Sequence, residues 1–166
     1  MQSSPRFVAL PPLLIAGMRE PLNEQSAQTI PLLWQKFAPY IGHISHQRGA
    51  VAYGMCVHSH ESSNGHYYYM AGCEVSEFGN LPADLSPLIV PAHKYAVFVH
   101  EAHVASIKDT IDYAFDQWLP NTECKHHSQS IHFFERYGEK FDPSTGFGDI
   151  EIWLPLVSKQ NLFLTG

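Results

Sequence analysis

Two short runs near the end of the chain, Ile131-His-Phe-Phe-Glu-Arg-Tyr137 and Asp149-Ile-Glu-Ile-Trp-Leu-Pro-Leu156, decide how the sequence is read. Both are rich in β-branched and aromatic residues, and Pro143, Gly146 and Gly148 lie between them, which predicts two strands around a loop. Upstream, Val104 to Leu119 places Ile107, Ile111, Phe115 and Trp118 at helical spacing and Pro120 ends the pattern, while Leu88 to His100 is a β-rich run. The first half follows the same order. Arg6 to Met18 predicts a strand broken at Pro11 and Pro12 and so held at a sheet edge or bulge. Thr29 in front of Ile30, Pro31, Leu33, Trp34, Phe37 and Tyr40 predicts a helix from about Ile30 to Tyr40. Ala50 to His60 and His66 to Ser76 predict a hairpin around Glu61-Ser-Ser-Asn-Gly65. The two halves share this plan at an offset of about 80 residues. The expected fold is α+β: two tandem β-α-β-β repeats, about 5–78 and about 86–157, with pseudo-two-fold symmetry. Antiparallel sheets would carry their helices on one side and leave a ligand groove between the repeats.

At 166 residues the chain can bury one full core but is short for two comfortable domains, so residues 1–166 are expected to form one domain. A hydrophobic share of 45% against 16% charged excludes a disordered chain. The net charge of −6 repels phosphate backbones, so direct nucleic-acid binding is not expected. Three cysteines, Cys56, Cys73 and Cys124, are too few and odd in number for a disulfide scaffold, which points to a reducing compartment and the cytoplasm. The apolar run from Phe7 to Met18 is interrupted by prolines and lacks a small-x-small cleavage site, so it does not read as a signal peptide. No stretch approaches the roughly 20 apolar residues of a membrane span.

Period-two alternation separates the faces of the last two strands. One face holds Ile131, Phe133, Glu135 and Tyr137; in the other strand Ile150, Ile152, Leu154 and Leu156 read as core beneath the helices, leaving Glu151 and Trp153 opposite. In the hairpin, Tyr68, Met70 and Glu74 fall together, against Tyr67, Tyr69, Ala71 and Cys73. Acidic residues thus recur beside aromatics on one sheet face. A carboxylate stripped of water must bind a cation, share a proton or titrate abnormally. An ion pair at about 4 Å and an effective dielectric near 20 is worth about 4 kcal/mol before desolvation, and ring faces add roughly 0.5 to 2 kcal/mol each, a combination that suits flat apolar cations. Pairing of Glu135 with Arg136, Lys140 or Arg6 is the competing reading. Eleven histidines, among them His58 with His60 and the adjacent His126 and His127, form no compact ligand motif, and the cysteines lack Cys-x-x-Cys spacing, so neither a metal nor another cofactor is expected. Cys56 and Cys73 read as small core residues or as a redox pair across the hairpin.

Tyr95-Ala-Val-Phe-Val-His100, Trp118-Leu-Pro120, Phe134-Glu-Arg-Tyr137 and Ile150-Glu-Ile-Trp-Leu-Pro155, in that order, resemble the pattern of the GyrI-like effector-binding domains. Gly17, Leu33-Trp34 and Tyr69-Met-Ala-Gly-Cys-Glu-Val75 extend the likeness over nearly the whole chain. The family includes the ligand-sensing halves of multidrug-responsive AraC-type and MerR-type activators. The resemblance implies a pocket for cationic amphipathic, drug-like molecules and a pocket glutamate, placed on Glu135. The candidate binding residues are Glu135, Tyr137, Tyr68, Trp118, Trp153, Phe133, Tyr95 and Glu151, with Glu151 and Glu74 as rival acids. No helix-turn-helix segment is read before Arg6 or after Val157, so the chain resembles stand-alone members. Among these are gyrase-inhibitory proteins and a branch that hydrolyses strained cyclopropane-bearing electrophiles, in which Glu135 would be a general base. Binding without turnover is the leading expectation; a homodimer or a regulatory partner protein completes the set of expected associations.

Overall fold

Prolines cut both N-terminal β-rich runs in two. In the computed structural model, which describes residues 4–59, 67–127 and 130–157, the run from Arg6 becomes β1 (Arg6–Leu10) and β2 (Leu13–Pro21), split at Pro11-Pro12. The run from Leu88 becomes β5 (Ser86–Val90) and β6 (His93–His100), split at Pro91-Ala92. A proline has no N–H for the ladder, so each break frees two strands to pair separately. The remaining elements are α1 (Ser26–Phe37), β3 (Gln47–His58), β4 (Tyr67–Val75), α2 (Ile107–Asp112), β7 (Ile131–Tyr137) and β8 (Ile150–Leu156). Each half therefore runs β-β-α-β-β rather than β-α-β-β. The hairpin tip around Glu61–Gly65 lies outside the described residues.

The strands form one antiparallel sheet, ordered β1-β6-β8-β7-β3-β4-β2-β5, and not two joined sheets. Exchanging the first four strands for the last four gives the same order read from the other edge. Two residues connect β1, at one edge, to β2, beside the other edge, and two more connect β5 to β6. So short a link spans only about 10 Å, so the sheet must curl until its edges approach one another.

Curling produces two cores on opposite faces. On one face, Tyr53, Met55, Met70, Tyr95, Phe134 and Trp153 pack together with neighbours that all come from strands, and the sheet itself buries them. The other face is covered by helices: α1 packs on β2 and β4 over Ala16, Ala71 and Cys73, and α2 with its continuation packs over Ala96, Phe98, Ile152 and Leu154. The helix α1 starts a turn before Thr29, because Asn23 accepts from the Gln25 N–H and Ser26 accepts from the Asn23 N–H, which turns the chain into the helix early. The predicted second helix is continuous in span but not in type. A 3-10 turn (Val104–Ser106), α2, a π-helical stretch (Tyr113–Trp118) and a 3-10 turn holding Pro120 follow one another.

At one end of the sheet, rings gather around His132. It stacks on Phe115 (4.7 Å, 16°) and meets Tyr67 at 4.9 Å, while His126 Nε2 donates to its carbonyl oxygen (2.7 Å). Burial, followed by the charges of His126 and His58, pushes the His132 imidazole down to about 4. The unfolded chain therefore takes up a proton near pH 6.5 that the folded chain refuses until about pH 4, and stability falls as pH drops through that window. Thermal unfolding followed between pH 7.5 and 4 should decline less steeply in His132→Phe than in the wild type; parallel curves would show that His132 is not the source. Among the described residues, no group of three or more His, Cys, Asp or Glu is placed to hold a metal ion.

Candidate functional site

Glu135 lies on β7 at the middle of the sheet, directly opposite Gly54 of β3 and Ile152 of β8, and Gly54 in turn faces Ala71 of β4. Residues paired across antiparallel strands share a face, so Glu135 points to the helix side. There the Tyr69 hydroxyl donates to Glu135 Oε1 (2.7 Å) and the Tyr137 hydroxyl donates to the same oxygen (2.9 Å). Trp34 Nε1 on α1 donates to the Tyr69 hydroxyl (2.9 Å), and its ring stands edge-on to Tyr137 (5.5 Å, 76°) and Tyr69 (6.4 Å, 71°). Tyr69 reaches the carboxylate across the space left by Gly54. A Cβ there would lie 2.5 Å from Glu135 Oε1 and still closer to the Tyr69 hydroxyl.

Glu135 is 8% exposed. Burial raises its carboxyl above the ordinary range, opposed by the hydrogen bonds from Tyr69 and Tyr137. Burial, followed by the Glu135 charge, holds both phenols well above their ordinary value, so they remain neutral donors. The Cys56 thiol is pushed up to about 12 by burial and then by Glu135. Both tyrosines occupy Oε1, and no described residue bonds Oε2 or forms an ion pair with the carboxylate. The result is a buried carboxyl group among rings, with two tyrosine donors on one oxygen and no ion pair to a described residue.

Residues 6–156 match the Cass2 family, described as integron-associated effector binding protein. The chain belongs to the Cass2 family. The GyrI-like effector-binding character read from the sequence is thereby borne out. The transcriptional regulator BrlR of Pseudomonas aeruginosa is 28% identical over 154 residues, 91% of this chain; the chain spans about half (54%) of that protein. Among solved structures, SAV2435 bound to tetraphenylphosphonium superposes with a TM-score of 0.75 at 19% identity, over 96% of this chain and 97% of its own. The C-terminal domain of EcmrR gives 0.66 at 16% identity (95% and 99%), and an integron cassette protein from the mobile metagenome of Vibrio cholerae gives 0.60 at 16% (94% and 97%). These likenesses show a shared α+β fold. No described helix is long and apolar enough to cross a membrane.

In this Cass2-family chain the predicted binding residues fall into three places. Glu135 and Tyr137 stand together. Phe133 and Trp118 share the helix face but belong to the neighbouring cluster, where Trp118 meets Phe98 (5.3 Å) and Phe133 meets Phe115 (5.9 Å). Tyr68, Tyr95, Trp153, Glu151 and Glu74 are on the opposite, strand-only face, so the structure does not bring them to Glu135. Glu151, 7% exposed, is already paired: Arg6 reaches it at 2.7 Å, Arg136 at 3.5 Å, and Trp153 Nε1 donates to it at 3.1 Å. The arginines weighed as partners for Glu135 thus belong to Glu151.

Ile131 also departs from the alternation. It joins the strand-only core while Phe133 faces the helices, because the β3–β7 register shifts between Cys56 and Val57. Cys56 and Cys73 are both free, opposite Tyr69 and Ala52 respectively, four positions apart along the strands and too far for a bridge. The sequence alone singles out neither Tyr69 nor Gly54 as a site residue, and it places Trp34 only on the first helix. The usable signal for Tyr69 was its alternation with Cys73, but only the β3–β7 register tells which hairpin face meets Glu135.

Proposed function

We propose that this chain is a binding module for cationic amphipathic or aromatic compounds, with Glu135 as the counter-charge and Tyr69, Tyr137 and Trp34 as the surrounding rings. The observation that carries the reading is the Glu135 carboxylate, buried in aromatic side chains, with two tyrosine donors on one oxygen and no ion pair to a described residue. A delocalised cation satisfies such a group without a strong hydration shell of its own to lose, and the rings add cation–π attraction. The effector-binding family supports a small-molecule role, and the structural relative SAV2435 holds tetraphenylphosphonium, a lipophilic cation.

Tetraphenylphosphonium titrated against wild type and Glu135→Gln tests the reading. The amide keeps the shape and removes the charge, so the dissociation constant should rise at least tenfold, which corresponds to about 1.4 kcal/mol or more. Equal affinity in the two proteins overturns it.

A further inference from the structure

Glu135 and Arg136 are neighbours on β7 and therefore project from opposite faces. Beneath Arg136, on the strand-only face, is a cavity of about 640 Å³, within the range of small-molecule sites. We propose that this cavity is a second ligand site, for an aromatic anion such as an aryl carboxylate, independent of Glu135.

The charge of its wall selects that sign. Arg6, Arg48 and Arg136 line it, three of the four arginines in a chain whose net charge is −6. Against them stand Glu74 in the wall and Glu151 buried behind it, leaving one positive charge in excess. Glu151 supplies a single negative charge to two guanidinium groups, so their pairing with it is not neutral. Arg48 is exposed and makes no ion pair with a described residue. Arg6 keeps a half-exposed side chain even while paired with Glu151. A guanidinium offers a planar fork of donors that fits a carboxylate in two-point fashion, which an ammonium does not.

The floor selects the shape. Tyr53 and Trp153 form it above the fully buried Phe134, on which Trp153 stacks at 5.3 Å and 15° and to which Tyr53 is edge-on. Val8, Leu10 and Val51 complete an apolar wall. A flat ring covers this floor while its carboxylate meets the arginine rim; a cation of the same shape meets the excess positive charge.

The Trp153 indole N–H, which donates to Glu151, reports on the site directly. In ¹H–¹⁵N spectra of the full chain, 1-naphthoate should move the Trp153 indole peak, assigned through Trp153→Phe, and leave that of Trp34 in place. The isosteric cation 1-naphthylmethylammonium should bind there at least tenfold more weakly. Arg48→Gln, on an exposed side chain, should weaken naphthoate at least threefold. Glu74→Gln, which removes the opposing charge, should tighten it about as much, a gain that misfolding cannot mimic. Glu135→Gln should leave it unchanged. The proposal is overturned if naphthoate leaves the Trp153 peak unmoved, if the ammonium binds equally well, or if both Arg48→Gln and Glu74→Gln match the wild type.

Discussion

Gly54→Ala should both destabilise the protein, by about 2–4 kcal/mol, and reduce tetraphenylphosphonium affinity at least tenfold. In an ordinary strand the exchange of glycine for alanine stabilises by roughly 0.5–1 kcal/mol, since glycine loses more chain entropy on folding. Gly54 has no positive φ that would demand glycine. What it supplies is room. The added methyl would displace the Tyr69 hydroxyl and crowd Glu135 Oε1 at 2.5 Å, in the middle of an eight-stranded sheet where the backbone cannot retreat. Tyr69 must leave the carboxylate, and a buried acid loses a donor. Chemical denaturation gives the stability change and the titration gives the affinity; an alanine variant as stable as the wild type would show that Tyr69 does not need this space.

Phe134→Ala is the second large effect, acting on the opposite face. Phe134 is fully buried, stacks on Trp153, and is edge-on to Tyr53 (5.6 Å) and Tyr95 (5.2 Å). These rings come from three other strands, β8, β3 and β6, with no helix to close over a void. Removal of a fully packed phenylalanine costs about 3–5 kcal/mol, and for a chain of this size each kcal/mol lowers Tm by about 2–4 °C. The expected loss is therefore about 6–20 °C by calorimetry, with Phe134→Leu losing much less. Below the new transition, tetraphenylphosphonium should still bind, since Glu135 is on the other side of the sheet. A shift under about 3 °C would mean that this face is not a packed core.

The GyrI-like plan was legible because it rests on local signals. The alternation in β8 set Glu151 and Trp153 opposite the helix-covered face, and the helical spacing around Leu33 and Trp34 marked a helix; in β7 it kept Glu135 with Phe133 and Tyr137, but it did not show that this is the face opposite Glu151. The prolines also marked breaks, although a break in one strand and a division into two strands look alike until the partners are known. Where β-branched and aromatic residues flank Pro11-Pro12 on both sides, each fragment is itself a good strand, and each found its own neighbours.

Two acids among aromatics, Glu135 and Glu151, were equally visible as sequence, and alternation showed which side of its own strand each one takes. Only the assembled sheet decided that they differ. Arg6 arrives beside Glu151 because β1 crosses to pair with β6, and Arg136 faces it across the β7–β8 ladder, so Glu151 is neutralised. Glu135 instead receives Tyr69 from a strand two positions away, over a glycine. Strand faces follow from neighbouring residues a few ångströms apart along the chain, whereas the charge that meets a buried acid depends on pairings between segments separated by as many as 145 residues, from Arg6 to Glu151, and no local pattern encodes those.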